Sequence, residues 1–197
     1  MATPTRQFWR LSILSSTLLF FIVTIAVHAN IPSVAIAAAA STTTKPTELV
    51  SDVCNRTSNY TFCVSALYAD PRTPTTDAYG LAFVAFGMAY LNASATQDLI
   101  TKLLKKSANE TRQFRHLETC RLDYKKAISA LEMAYGDLNS ETFFELAELA
   151  GNASAAAKDC QAAFKDAPHR PLTARNLGLR GLCEICAVIS KLFTGGF

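Results

Sequence analysis

Four long segments of this chain repeat their apolar residues at steps of three and four, and this period restricts the fold more than any other feature. In the second segment the apolar side chains recur at Leu117, Cys120, Tyr124, Ala127, Ile128, Leu131, Ala134, Tyr135 and Leu138. Steps of three and four place such side chains on one face of an α-helix. A strand would need alternating apolar and polar residues, and no run of four or more residues alternates convincingly.

Turn-forming residues divide the helical pattern into a bundle and a shorter N-terminal part. The long helices are predicted at residues 76–107, from about 109 to a break at 136–140, at 141–164 and at 173–193. Two shorter helices are predicted at residues 48–54 and 61–69. Amphipathic helices joined by short links pack as an antiparallel bundle. We therefore expect an all-α fold, with a helical hairpin at residues 48–70 and a four-helix bundle at residues 76–194.

The first 29 residues have the layout of a secretory signal peptide. Arg6 and Arg10 precede an apolar run over residues 11–27, and small side chains follow at the positions that a signal peptidase reads. The alternative is a membrane anchor, but a run of about 17 residues is short for a membrane span. We expect residues 1–29 to be removed, residues 30–47 to form a flexible leader, and the mature chain to be secreted without stable membrane association.

The charge of the mature chain is nearly balanced. The full sequence has 19 basic and 16 acidic side chains, and loss of Arg6 and Arg10 leaves 17 basic ones and a formal charge of +1. Proteins that bind nucleic acid or anionic membranes usually carry a clear basic excess. The composition therefore argues against both as default partners.

Six cysteines in a secreted chain favour disulfide bonds. They are Cys54, Cys63, Cys120, Cys160, Cys183 and Cys186. Six cysteines allow 15 pairings in principle. The separation of Cys54 from Cys63 suits only a short hairpin, which a disulfide would fix where burial is insufficient. A bond between Cys120 and Cys160 would link the second and third long helices.

Cys183 and Cys186 form a C-x-x-C pair, a spacing that also occurs in redox and zinc sites. A redox pair is expected at a helix N-terminus after a strand, whereas these cysteines lie mid-helix on an apolar stripe. Zinc needs two further ligands, and the mature chain offers only His116 and His169, without ligand spacing. We therefore expect free, buried thiols and no metal or other cofactor.

Five asparagines satisfy the rule for N-glycosylation, Asn-x-Ser/Thr. They are Asn55, Asn59, Asn92, Asn109 and Asn152. The motif is short and arises by chance, so we do not expect all five to carry sugar. Asn55 and Asn59 lie between Cys54 and Cys63, where a tight loop nearly forces exposure. A crosslinked hairpin that bears sugar suits a protein working outside the cell.

No catalytic constellation is recognisable in the sequence. His116 lies in a charged helical stretch, and His169 lies between two prolines. Glu145 and Glu148 are three residues apart, as carboxylates on exposed helix faces commonly are. A small, crosslinked helical domain of this kind is most often a binding protein rather than an enzyme. A lipid or small-ligand carrier is an alternative, but the many large side chains can fill the interior and leave no cavity.

The residues around the cysteines resemble a known family. The matching stretches are Cys54 and Cys63, ALYADPRTPTTD (66–77), LETCRLDYKKAISAL (117–131), Cys160 before Phe164, and PLTARN (171–176) leading into LCEICAVISKLF. Over residues 48–197 the chain resembles the plant invertase and pectin methylesterase inhibitors. The resemblance implies a helical hairpin on a four-helix bundle, the Cys54–Cys63 and Cys120–Cys160 disulfides, and a free cysteine near Cys183. Cys186 is additional to that pattern.

Within this family, pectin methylesterase is the expected target, and acid invertase is the alternative. Invertase inhibitors typically place a Pro-Lys-Phe motif near the start of the third bundle helix, where it reaches into the invertase active site. The matching stretch here, SETFFELAELAGNAS (140–154), lacks that motif. The resemblance therefore implies a secreted inhibitor of the apoplast or cell wall, which blocks the pectin-binding cleft one to one and performs no chemistry.

The outward side of the second bundle helix is the predicted partner-binding face. The polar side chains expected there are Arg121, Lys125, Lys126 and Ser129, with Asp159 added from the third helix. A link between Cys120 and Cys160 would hold these groups at fixed spacing, so that docking loses less ordering entropy. In the family that the chain resembles, the bundle helices themselves cover the enzyme's cleft. This agrees with a partner-binding face on the bundle.

Overall fold

Residues 45–107 and 111–195 are described by the structure, a computed structural model of the chain. Within these residues the chain forms six α-helices and no β-strand. The helices are α1 (Glu48–Cys54), α2 (Tyr60–Leu67), α3 (Ala78–Lys106), α4 (Arg112–Asn139), α5 (Leu146–Ala163) and α6 (Thr173–Thr194). The predicted signal peptide and most of the predicted leader lie outside the described residues, and both stay predictions.

The four long helices form an antiparallel bundle. Each helix packs against the next along the chain, and α6 also packs against α3. Contacts between α3 and α4 give their relative direction. The Tyr79 hydroxyl donates to the Leu138 carbonyl at 2.8 Å, and the Gln97 amide donates to the Arg121 carbonyl at 3.3 Å. The predicted all-α fold with a four-helix bundle is confirmed.

The core is built from the apolar stripes and contains a chain of hydrogen-bonded polar groups. The Tyr124 hydroxyl donates to Asn176 Oδ1 at 2.8 Å. Asn176 Nδ2 in turn donates to Gln161 Oε1 at 2.9 Å. Burial raises the pKa of Tyr124 well above its usual range, so the phenol stays neutral. These bonds join α4, α5 and α6, and a satisfied buried network of this kind favours one packing arrangement.

The N-terminus of α3 is set by a carboxylate cap. Asp77 Oδ1 accepts a hydrogen bond from the Gly80 amide at 2.8 Å. An aspartate satisfies a free N–H of the first turn and also interacts favourably with the helix dipole. The helix therefore begins two residues later than predicted.

The predicted break at residues 136–140 is wrong, because α4 continues to Asn139 and ends there in a Schellman motif, so the link to α5 lies further along the chain. The Thr142 amide donates to the Asp137 carbonyl at 2.8 Å. The Glu141 amide donates to the Leu138 carbonyl at 3.2 Å. Glu141 has a φ of 54°, the left-handed conformation that glycine usually takes at this position. The chain therefore turns here, and α5 begins at Leu146 rather than at the predicted Glu141.

The N-terminal hairpin is closed by the Cys54–Cys63 disulfide, with 5.4 Å between the Cα atoms, which confirms the predicted disulfide-linked hairpin. Its loop docks on α6, because the Ser58 amide and hydroxyl donate to the two carboxylate oxygens of Glu184, each at 2.7 Å. Phe62 packs against Gly181, where a Cβ would lie 2.6 Å from the ring. This close approach explains the glycine at position 181.

Helix α3 is long and apolar enough to cross a membrane by length and composition alone. In the described structure it contributes Leu81, Phe86 and Ile100 to the buried core. The core helix of a soluble bundle passes the same test of length and composition. Its length and apolar character alone are therefore weak evidence for a membrane span.

Candidate functional site

A groove runs along the surface between α4 and α5. Its lining comprises Leu122, Lys125, Lys126, Ser129 and Met133 from α4, and Asn152, Ala155, Ala156 and Asp159 from α5. We refer to this surface as the α4–α5 groove. It has a volume of about 760 Å³, which is within the range of ligand-sized clefts. Charged and apolar side chains therefore share one concave surface on the two most closely linked helices.

The Cys120–Cys160 disulfide fixes the spacing of the two walls of the groove. It joins α4 to α5 with 4.5 Å between the Cα atoms, and both cysteines are fully buried. Leu122 and Asp159 lie within two residues of it on their own helices. A partner that docks on this surface would therefore meet side chains on a rigid frame, which lowers the ordering entropy lost on binding.

A buried carboxylate holds Lys126 at the edge of the groove. Lys126 Nζ lies 3.3 Å from Asp123 Oδ1, and the Asp123 side chain is only 7% exposed. Asp123 Oδ2 is buried and has no hydrogen-bond partner among the described residues. The Lys126 side chain is 72% exposed, so the pair contributes little to stability. An acidic residue at position 126 would nevertheless place a second carboxylate beside Asp123.

Arg121 lies apart from the other residues predicted for the partner-binding face. Its guanidinium pairs with Glu118 at 2.9 Å, and this hydrogen bond raises the pKa of Arg121 above its usual range. Its carbonyl accepts from Gln97 of α3, which puts Arg121 on the α3 side of α4. The predicted residues that do line the groove are Lys125, Lys126, Ser129 and Asp159. That this surface binds a partner stays a prediction.

Sequence reasoning missed two apolar side chains in the groove. Leu122 is 51% exposed and Met133 is 53% exposed. Both lie off the inward stripe of α4, and a large apolar residue on the polar side of an amphipathic helix is the signal that would have found them. Apolar groups next to charged ones are typical of surfaces that bind other proteins.

The candidate glycosylation sites differ in exposure. Asn55 and Asn59 are exposed at the hairpin loop, and Asn152 is exposed in the α4–α5 groove. Asn92 is half-buried, and its Oδ1 is buried without a hydrogen-bond partner in the described structure. Asn109 lies outside the described residues. Which of the five carries sugar stays a prediction.

Cys183 and Cys186 are free and buried in α6. Burial raises the pKa of the Cys183 thiol to about 12 and raises that of Cys186 well above its usual range. A neutral thiol is a poor nucleophile and a poor metal ligand. Among the described residues, no three or more His, Cys, Asp or Glu side chains are grouped so as to hold a metal ion.

We expect a thiol-alkylating reagent at pH 8 to label neither Cys183 nor Cys186 in the folded protein and to label both after unfolding. Because the folded pKa of about 12 exceeds the unfolded value of about 8.5, the neutral thiol stabilises the fold fully below pH 8.5. That contribution is lost as the pH rises towards 12. Intact-mass measurement with and without denaturant counts the labels. Equal labelling rates in both states would contradict burial of the thiols.

Comparison with known proteins assigns the chain to a family. A sequence model described as plant invertase/pectin methylesterase inhibitor matches residues 48–189, from the start of the hairpin to the last turns of α6. The chain belongs to this inhibitor family. The match covers most of the described structure, including both walls of the α4–α5 groove.

Individual members of the inhibitor family are similar over most of the chain. A pectinesterase inhibitor from Actinidia deliciosa is 33% identical over 149 residues, 75% of this chain and 80% of its own. The cell wall / vacuolar inhibitor of fructosidase 2 from Arabidopsis thaliana is 34% identical over 129 residues, 66% of this chain and 68% of its own. The crystal structure of a mutant form of a pectin methylesterase inhibitor from Arabidopsis has the same fold. Its TM-score is 0.68 at 21% identity, and the match covers 74% of this chain and 97% of that one.

The stretches through which the chain resembles the inhibitor family meet inside the bundle. Tyr124 belongs to LETCRLDYKKAISAL and Asn176 to PLTARN, and the two side chains are hydrogen-bonded in the core. Cys120 lies in the first of these stretches and is bonded to Cys160. These buried residues therefore account for the shared fold of the family. They do not decide which enzyme is the target, which depends on surface residues.

Proposed function

We propose that this protein is a non-catalytic inhibitor of pectin methylesterase, which forms a one-to-one complex and blocks the pectin-binding cleft. The observation that carries the proposal is membership of the inhibitor family, with a pectinesterase inhibitor 33% identical over 75% of the chain. The α4–α5 groove supplies a suitable surface, because Leu122, Lys125, Ser129 and Met133 are exposed and do not belong to the core.

Inhibition by occupancy needs a rigid surface and no reactive group. The walls of the groove are held by antiparallel packing and by the Cys120–Cys160 disulfide. Leu122 and Met133 offer apolar contacts, while Lys125 and Asp159 offer charged ones. Such a surface can exclude a substrate from a cleft by its volume alone.

The surroundings of the histidines support a role without catalysis. The ring of His116 packs 5.2 Å from that of Phe164, between centroids, at the side of the bundle. His169 is exposed in the link between α5 and α6. Neither position resembles a histidine held beside a nucleophile, which hydrolytic triads require.

We place the site of action outside the cell, in the cell wall. Disulfides persist in oxidising compartments, and this chain has two of them. The first 29 residues have the layout of a signal peptide, and the exposed sequons at Asn55 and Asn59 suit passage through the secretory pathway.

Acid invertase is the alternative target, and one observation favours it. Phe144, in the turn before α5, is 86% exposed, in the stretch where the resemblance places Pro-Lys-Phe in invertase inhibitors. Here Thr142 and Phe143 stand before it, and Phe143 is stacked on Phe193 at 4.5 Å. Without the Pro-Lys pair, we favour pectin methylesterase.

Accordingly, Phe144→Ala should leave inhibition of pectin methylesterase within about twofold, a change below ~0.5 kcal/mol.

Steady-state kinetics tests whether the cleft is the blocked site. With the inhibitor in large excess over the enzyme and the mixture at equilibrium, we expect initial rates at increasing pectin concentration to show a raised KM and an unchanged kcat, because pectin and inhibitor exclude each other. A fall in kcat at constant KM would instead mean that the inhibitor binds the enzyme away from the cleft.

A further inference from the structure

Asn152 puts an acceptor for N-linked sugar inside the α4–α5 groove. It begins the sequon Asn152-Ala153-Ser154 and is exposed on α5. It lines the same concave surface as Lys125 and Ser129. The other described sequons begin outside this groove.

Asn152 lies level with the middle of the opposite wall of the groove. It is eight residues before Cys160 on α5, and Ile128 is eight residues after Cys120 on α4. Since the two helices are antiparallel and linked at these cysteines, Asn152 faces the region of Ile128 and Ser129. This point is about 12 Å along the bundle from the disulfide, at 1.5 Å per residue.

The groove offers room for a sugar next to Asn152. One turn further along α5 the lining residues are Ala155 and Ala156, whose side chains are small. The groove volume of about 760 Å³ is therefore largely open above them. An attached oligosaccharide can lie along this surface without displacing core side chains.

The other described sequons are placed differently. Asn59 Oδ1 caps α2 by accepting from the Phe62 amide at 3.0 Å, which leaves its Nδ2 for sugar. Asn55 and Asn59 lie in the hairpin loop and do not line the α4–α5 groove, and Asn59 lines a separate pocket beside α6. Asn92 is half-buried, and its Nδ2 lies 3.6 Å from where a Cβ on Gly178 would be. Of the described sequons, Asn152 is therefore the one whose sugar would cover the groove.

We propose that N-glycosylation of Asn152 closes the α4–α5 groove, so that the chain is secreted in an active form without this sugar and an inactive form with it. The proposal rests on the proposed function. In the modification, Asn152 Nδ2 bonds to the anomeric carbon of the first sugar of a lipid-diphosphate-linked oligosaccharide. The sugar–phosphate bond breaks, the lipid diphosphate leaves, and the amide gives up one proton. The transfer takes place on the chain before α5 has folded.

The physical effect follows from the covalent attachment. A linked group is present at millimolar effective concentration near its anchor, so the sugar excludes other occupants without needing favourable contacts of its own. An N-linked oligosaccharide is bulky and hydrophilic. It would cover Lys125, Ser129 and Met133, the side chains through which the groove would meet an enzyme.

The test uses the full chain secreted by a eukaryotic host that adds N-linked sugar. Glycopeptide mass spectrometry measures occupancy at Asn152, and the occupied and unoccupied forms are separated and titrated into pectin methylesterase. Ser154→Ala removes the sequon but keeps Asn152, and the separated unoccupied form of the unchanged chain is the second comparator in case Ser154→Ala folds poorly. Asn55→Gln is the matched control, since it removes a sequon outside the groove. The rate of Lys125 acylation relative to Lys102 reports cover of the groove without any enzyme.

We expect the form glycosylated at Asn152 to inhibit at least about tenfold less well than the Ser154→Ala variant, equivalent to ~1.4 kcal/mol. Lys125 acylation should be severalfold slower in that form, and Asn55→Gln should behave as the unchanged chain. An empty Asn152, or equal inhibition and equal acylation of both forms, would overturn the proposal. If neither the Ser154→Ala variant nor the unoccupied form of the unchanged chain inhibits pectin methylesterase, the proposed function fails. Slower acylation would then still support cover of the groove.

Discussion

We expect Cys120→Ser to lower the free energy of unfolding by about 2–5 kcal/mol, the usual cost of losing a native disulfide from a small secreted domain. The Cys120–Cys160 bond closes a loop with a sequence separation of 40. In the chain-entropy description a loop of that length is worth ~4 kcal/mol, because the crosslink restricts the unfolded chain. Denaturant unfolding of the purified variant, with and without reductant, measures the difference.

Two further variants separate the crosslink from ordinary packing. Cys120→Ser combined with Cys160→Ser removes the unpaired thiol and should lose about the same stability as Cys120→Ser alone. Cys186→Ala removes a buried thiol outside any disulfide and should cost less, ~1–2 kcal/mol. A larger loss for Cys186→Ala than for Cys120→Ser would mean that Cys186 takes part in a bond and that our pairing is wrong.

We expect Lys125→Glu combined with Ser129→Glu to weaken inhibition of pectin methylesterase by at least about tenfold, or ~1.4 kcal/mol. Both side chains are exposed and line the α4–α5 groove. The two added carboxylates change the net charge of the α4–α5 groove from positive to negative. This change affects association most at low salt. Lys126 is left unchanged, because a glutamate there would stand beside the buried carboxylate of Asp123.

The matched control makes the same charge change on another helix. Thr101→Glu combined with Lys102→Glu alters two exposed residues of α3 that do not line the groove. We expect this variant to inhibit as well as the unchanged protein at physiological salt. Undiminished inhibition by a folded Lys125→Glu, Ser129→Glu variant would remove the α4–α5 groove from the interface. The surface around Phe144 would then be the next to test.

The helices could be predicted because apolar spacing alone decides which side of each faces inward. Leu117, Tyr124 and Leu131 are fully buried, as expected for residues two helical turns apart on one face. The start of α5 could not be predicted in the same way. It depends on Glu141 adopting a left-handed conformation, which the sequence does not signal because glycine is the usual residue there.

The candidate site was predictable only in part, for a geometric reason. Periodicity separates inward from outward residues, so Lys125 and Ser129 could be placed on the surface beside the crosslink. It does not tell which neighbouring helix flanks each outward residue, so Arg121 was grouped with them although it lies towards α3. The pairing of Lys126 with Asp123 depends on the burial of Asp123. That burial could not be predicted, because aspartate side chains are usually exposed.

The most direct measurement is a titration of the mature chain into two enzymes, pectin methylesterase and acid invertase. The concentration of each enzyme is kept above the dissociation constant of a tight complex. The protein should carry no sugar at Asn152, and peptide mapping should first verify both disulfides. We predict a linear loss of pectin methylesterase activity that is complete at one equivalent, with invertase activity unchanged at the same ratio. Full pectin methylesterase activity in the presence of excess folded protein would contradict the proposed function.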